Sequence, residues 1–164
     1  MKKFLAFVFV GLIVCSGAWA ATIGITVNVA EKLEASVDAA TWTIALDNSG
    51  AAIDLPAKGS LTVKSSKSSY KVTFSSAKNG VISDGSHDIV YKIKVDTTGW
   101  AAGVDSNELS SYTQLTSGKK IVFKSKTPTE GKTFNIGFNI EAYTDYYVDG
   151  AYTDTITITI ATGA

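Results

Sequence analysis

Arginine is absent from this chain, and all 15 of its basic residues are lysines. Arginine is the favoured side chain for forked recognition of phosphate and guanine, so its absence argues against nucleic acid as a partner. The chain also has a single histidine, His87, and a single cysteine, Cys15. Zinc sites are built mainly from those two residue types, so the composition predicts no zinc centre.

The single cysteine lies in a segment with the three parts of a secretory signal peptide. Two lysines open the chain, residues 4–14 are apolar, and Ala18-Trp19-Ala20 has the small residues of a cleavage site. We expect residues 1–20 to be removed as a leader, which leaves a chain unable to form an internal disulfide. Lipid attachment at Cys15 is a minority alternative, because the preceding Val14 is not small. No later apolar run approaches the roughly 18 residues of a membrane span.

The chain after residue 20 has the length of one domain and is long enough to bury a core without disulfide bonds. The whole chain has a formal net charge of zero, and removal of Lys2 and Lys3 leaves it slightly acidic. We divide it into an N-terminal strand, residues 21–31, and a β-sandwich domain, residues 32–164.

Alternation of apolar and polar residues dominates the domain. Ile156, Ile158 and Ile160 alternate with threonines, which places the isoleucines on one face of an extended strand. The same period predicts nine strands: 22–29, 32–37, 41–46, 60–64, 69–75, 88–95, 119–124, 132–142 and 152–161. Residues 105–116 fit a capped helical turn as well as a strand. We therefore expect an all-β fold, an immunoglobulin-like β-sandwich of about seven to nine strands.

The residues do not point to catalysis, so we expect a protein that is not an enzyme and has no cofactor. Ser86, His87 and Asp88 are adjacent in an extended segment and point in different directions, so they cannot form a triad. Aspartates gather in two loops without the spacing of a calcium motif: Asp84 with Asp88, and Asp145 with Asp149 and Asp154. We predict no metal site.

Tyrosines flank the loop before the last strand. Tyr143, Tyr146 and Tyr147 lie within five residues of one another, and clustered tyrosines stack on sugar rings or form protein contacts. They also cover the ends of β-sandwiches. This loop is therefore a possible ligand site, with packing at a sandwich end as the alternative interpretation.

Three stretches resemble the pilin subunits of the chaperone–usher superfamily, most closely its archaic branch of spore-coat-protein-U-like fimbrial subunits. The first is the alternating run 22–30, directly after the leader. The second is the run Phe134–Ile140, and the third is Gly150–Ile160, with a glycine-x-tyrosine-x-aspartate-threonine pattern. The likeness covers the two ends and the overall length of the chain, not its middle.

The resemblance implies a sandwich that lacks one strand and polymerises by donor-strand complementation. Ile23, Ile25, Val27 and Val29 would then enter a neighbouring subunit, with main-chain bonds giving affinity and alternate side chains filling pockets. The implied partners are other copies of this chain, with a periplasmic chaperone and an usher. The implied location is the periplasm in transit, then a pilus or coat fibre at the cell surface, with a role in cell adhesion.

Two alternatives stay open at this point. Residues 22–29 can instead be the first strand of a complete sandwich, paired within their own chain. The protein can also be a monomeric secreted binding module whose tyrosine-rich loop holds a glycan or protein ligand.

Overall fold

The computed structural model describes residues 25–163, which form ten β-strands and one short 3₁₀ segment. The predicted leader and Ile23 lie outside these residues. The strands are β1 Leu33–Val37, β2 Ile53–Ser65, β3 Tyr70–Ser76, β4 Val81–Ser83, β5 Asp88–Val90, β6 Lys92–Asp96, β7 Val104–Asn107, β8 Lys119–Phe123, β9 Lys132–Ile140 and β10 Ile156–Thr162. The 3₁₀ segment, Thr98–Gly103, lies between β6 and β7.

The strands form two antiparallel sheets of four strands and one two-stranded sheet. The first sheet has the order β1-β2-β9-β6, the second β10-β3-β8-β7, and β4 pairs with β5. The long strand β2 shifts register against β9 between Leu55 and Gly59. Pro56 lies in that interval and has no N–H to donate to the ladder, which favours an irregularity there. The all-β sandwich expected from the sequence is confirmed, with eight strands in its two main sheets.

The inward faces of the two sheets supply the core, as the alternation predicts. Tyr70, Val72 and Phe74 of β3 are fully buried, and so are their counterparts on β2, β6 and β9. Phe123 stacks on Tyr70 with ring centroids 4.8 Å apart. Trp100 of the 3₁₀ segment covers Phe123 at 5.9 Å. Aromatic packing of this kind closes one end of the sandwich.

Several of the strand predictions differ from the structure. Residues 41–46 are not a strand, although Trp42, Ile44 and Leu46 alternate in burial with their neighbours, because no backbone partner lies beside them. The strand predicted over 88–95 breaks at Tyr91 into β5 and β6. Its first part pairs with β4, which the sequence analysis missed, and its second part pairs with β9. In the ambiguous segment 105–116, residues 105–107 belong to β7 and the rest forms turns.

In the part of the chain that the structure describes, no helix has the length and apolar character needed to cross a bilayer.

Candidate functional site: an open groove beside the last strand

Residues 25–30, here called the N-terminal segment, lie apart from the sandwich. The strand predicted over 22–29 is not formed in its described part, because residues 25–29 pair with no other strand. Their alternating aliphatic side chains face solvent: Ile25 is 83% exposed, Val27 76% and Val29 84%. Single exposed aliphatics are ordinary on a protein surface, but three at alternate positions form a continuous apolar edge.

Strand β10 lies at the edge of the second sheet and is only half covered. Its inward isoleucines, Ile156, Ile158 and Ile160, are half-buried. They face the same side of the sheet as Val72 and Phe74 of the adjacent β3, which are fully buried. The difference arises because β10 has a neighbour on one side only. The outward threonines 157 and 159 are exposed, so this edge has one apolar and one polar face.

A groove runs between β10 and the edge of the other sheet. Strand β1 is the edge strand there, and the residues that follow it, 39–44, line the groove without forming a strand. The groove deepens into a cavity of about 440 Å³. The side chains that line it come from both edges and from the core beneath: Val37, Trp42, Ile44, Phe74, Ile156 and Ile158. Its interior is therefore mostly apolar, which suits aliphatic side chains.

Trp42 forms part of one wall, and the absence of a side chain at Gly59 makes its position possible. A Cβ at residue 59 would lie 2.5 Å from Cζ2 of the indole. The indole therefore packs flat against the backbone of β2 at its bulge. Its Nε1 is buried and has no hydrogen-bond partner among the described residues. Trp42 is consequently a natural fluorescent reporter of whatever enters the groove.

Asp154 closes the polar end of the cavity and ties three parts of the chain together. One carboxylate oxygen accepts from the Tyr91 hydroxyl at 2.6 Å and from the Ser76 hydroxyl. The other accepts from the backbone N–H groups of Lys78 and Thr155, at 3.0 and 2.7 Å. Burial of Tyr91, and secondarily its bond to Asp154, raises the pKa of that phenol well above its usual value. The network fixes the start of β10 against the end of β3.

The two ends of the sandwich differ in what they present. At one end, here the exit end, the N-terminal segment leaves the domain beside the loops 66–69, 98–103 and 124–131. Lys32 is fixed there, since its backbone N–H donates to the Ser66 hydroxyl and its carbonyl accepts from the Ser66 N–H. At the other end, here the open end, lie the loops 47–50, 77–80, 84–88 and 141–155. The cavity lies in that half of the groove, beside residues 152–158.

The tyrosine loop is held mostly by the fold. The rings of Tyr143 and Tyr147 pack against each other with centroids 4.6 Å apart. Asn48 bonds both backbone groups of Tyr147, at 2.8 and 3.1 Å. Tyr146 is different, because 84% of its surface is exposed. Of the three tyrosines named as a possible ligand loop, one is therefore available to a ligand in full.

His87 contacts a different aspartate from the one beside it in sequence. Its Nδ1 lies 3.0 Å from Asp84, and the Asp84 carboxylate also accepts from the backbone N–H groups of Ser86 and His87. Those bonds, led by the one from Ser86, lower the pKa of Asp84 to about 2. This is the geometry of a loop stabilised by its own aspartate. In residues 25–163, no three His, Cys, Asp or Glu side chains form a group that could hold a metal ion.

The chain matches no known family model, and no curated protein matches it.

Sequence reasoning missed two components of the groove. The sequence predicts Trp42 only as part of a strand, and it indicates Asp154 as part of the closing strand pattern and of an acidic loop but not as a hydrogen-bond acceptor. A signal existed for Asp154, since a single carboxylate interrupts the threonine–isoleucine alternation at the start of the last strand. The partners Ser76 and Tyr91 are 78 and 63 residues away and no local pattern indicates them.

Proposed function

We propose that this protein is an exported structural subunit that polymerises head to tail. The N-terminal segment of one copy fills the groove beside β10 of the next copy by β-augmentation. In this proposal the product is a pilus or coat fibre at the cell surface. A periplasmic chaperone that covers the free edge before assembly, and an usher that orders assembly, fit the same chemistry, because an exposed apolar edge strand otherwise pairs indiscriminately.

The partial burial of β10 is the observation that most supports this proposal. Ile158 lies directly across the ladder from Phe74, faces the same core, and is still partly exposed while Phe74 is fully buried. A complete sandwich would cover both. One further strand on the free edge of β10 would cover Ile156, Ile158 and Ile160 and give their backbone groups a ladder partner.

Two features favour a second copy over the segment's own domain as the recipient. Lys32 is already fixed at the exit end, so the segment would have to reverse direction over Ala30 and Glu31 to enter its own groove. Two-residue hairpin turns strongly favour glycine, asparagine or aspartate, and neither residue is of that kind. The cavity is also in the half of the groove that is distant from that exit.

The contacts available are sufficient for a durable joint. Each aliphatic side chain that moves from water into the groove contributes about 1.5–3 kcal/mol. Each main-chain hydrogen bond adds a net of about 0.5–1.5 kcal/mol. Ile25, Val27 and Val29 supply three such side chains, and Ile23 is the fourth in the sequence pattern. A joint between different surfaces of two copies does not close on itself and produces a filament.

The alternative, a monomeric binding module, is favoured by one observation, the exposure of Tyr146. Tyr143 and Tyr147 are engaged in holding the loop, so the loop offers a single free aromatic ring. The groove and the exposed segment have no role in that alternative, and we therefore retain the structural role as the conclusion.

Deletion of the segment tests this function. The protein without residues 1–20 should form multimers that resist sodium dodecyl sulfate when unheated, while the protein that also lacks residues 21–30 should stay monomeric. Mass in solution by light scattering, with far-UV circular dichroism to verify the fold, gives the answer. Multimers that persist after the deletion would rule out assembly through this segment.

A further inference from the structure

Charge is distributed unevenly between the two ends of the sandwich. The loops of the open end carry exposed or half-exposed acids: Asp47, Asp84, Asp88, Glu141, Asp145, Asp149 and Asp154. Two lysines of that end are engaged within the chain. Lys78 donates to the carbonyls of Ser83 and Thr153, and Lys92 pairs with Glu141. Even without Glu141, whose charge Lys92 neutralises, six acids remain at the open end, which is therefore an acidic surface around the mouth of the groove.

At the exit end, lysines outnumber acids. In the loop 124–131 the exposed lysines Lys124 and Lys126 outnumber the single exposed acid Glu130, and none of the three forms an ion pair among the described residues. The acids nearest to the exit of the segment are already paired, since Glu31 lies 3.1 Å from Lys67 and Glu34 bonds Lys32. The exit end therefore carries a small excess of unpaired lysines over unpaired acids.

From these two surfaces we infer that the lysine-bearing exit end of one copy docks on the acidic open end of the next. This inference rests on the proposed function, because the segment must occupy the neighbour's groove. Only Glu31 and Lys32 separate the segment from β1, and two residues extend at most about 7 Å. The incoming domain must then lie beside the groove mouth, within about one Debye length of the recipient's charges at physiological salt.

The charges also select the direction of the docked strand. If the segment runs antiparallel to β10, its residue 30 emerges at the open end. The exit-end lysines of the incoming copy then lie beside the open-end acids of the recipient. If it runs parallel to β10, residue 30 emerges at the exit end, and Lys124 and Lys126 of the two copies face each other. Like charges at close range suppress a wrong arrangement, and opposite charges raise the rate of correct encounter. The antiparallel arrangement is the one that the charge pattern supports.

The rate of assembly tests this contact. For the protein without its leader, we expect the initial rate of multimer formation to fall about tenfold or more between 50 and 500 mM NaCl. Lys124→Glu with Lys126→Glu should slow assembly by a similar factor at 50 mM. Adding Asp145→Lys with Asp149→Lys to that chain exchanges the charges and should restore most of the rate.

A matched control separates this contact from a general effect of charge. Lys120 is exposed on the outer face of the second sheet, away from both ends, and Lys120→Glu should leave the rate within about twofold of the unmodified chain. Lys126→Glu alone is the comparison, since these two substitutions change the net charge of the protein by the same amount. A rate insensitive to salt, or lowered as much by Lys120→Glu as by Lys126→Glu, would overturn the contact while leaving the groove mechanism intact. Failure of the unmodified chain to assemble at all would overturn both.

Discussion

Val27→Asp should abolish assembly. In the proposed joint this side chain enters the apolar groove between Trp42 and the isoleucines of β10. The substitution removes about 1.5–3 kcal/mol of burial and places a carboxylate where desolvation costs several kcal/mol more. A loss above roughly 4 kcal/mol weakens the joint at least about a thousandfold. Multimers resistant to detergent should therefore be undetectable on an unheated gel.

The neighbouring residue supplies the control. Thr26→Asp adds the same charge at the adjacent position, which points to the opposite face of an extended strand. It should weaken the joint only slightly, because that face stays in water. Equal losses from Val27→Asp and Thr26→Asp would mean that the segment does not enter the groove as a strand with one buried face.

Asp154→Ala should be the most damaging single change to the domain itself. It leaves the buried Tyr91 hydroxyl and the Ser76 hydroxyl without their shared acceptor, while the Lys78 N–H keeps its bond to the Ser76 hydroxyl oxygen. Each buried polar group left unpaired costs about 1–3 kcal/mol. We expect the free energy of unfolding to fall by about 3 kcal/mol, measured by urea denaturation at pH 7 with tryptophan fluorescence.

Two further variants test whether the lost hydrogen bonds cause the fall in the free energy of unfolding. Asp149→Ala removes an exposed carboxylate from the same loop and should change the free energy of unfolding by no more than about 0.5 kcal/mol. Tyr91→Phe in the Asp154→Ala background removes one unpaired hydroxyl and should recover part of the loss. If Asp154→Ala costs no more than Asp149→Ala, the network does not stabilise the start of β10.

The alternation of residues predicted most of the sandwich, because inward and outward positions have period two on every strand. The rows Tyr70-Val72-Phe74 and Phe134-Ile136-Phe138-Ile140 are buried as expected. The same pattern failed over residues 41–46. There, the alternation of Trp42, Ile44 and Leu46 indicates one buried face, but it does not indicate whether a neighbouring strand pairs with these residues.

Of the candidate site, the sequence predicted the N-terminal segment but not the groove. The alternating aliphatics of residues 25–29 are visible in sequence, and their exposure is a structural finding. The groove is not visible in sequence, because it is formed by strands β1 and β10 from opposite ends of the chain. The half-burial of Ile158 likewise arises because β10 has no strand on its free edge, and the residue type does not indicate it. The charge difference between the two ends also depends on which loops the topology brings together.

Cysteine pairing between two variants tests the central claim most directly, since the only cysteine lies in the predicted leader. Thr26→Cys protein would be mixed with Thr157→Cys or Thr159→Cys protein, whose cysteines lie on the outer face of β10. Under mild oxidation, disulfide-linked heterodimers should form at one of these two positions. Thr73→Cys, on the adjacent β3 and one strand further from the free edge, should give none. Absence of the β10 crosslinks, or equal crosslinking to Thr73→Cys, would contradict docking of the segment on the free edge of another copy.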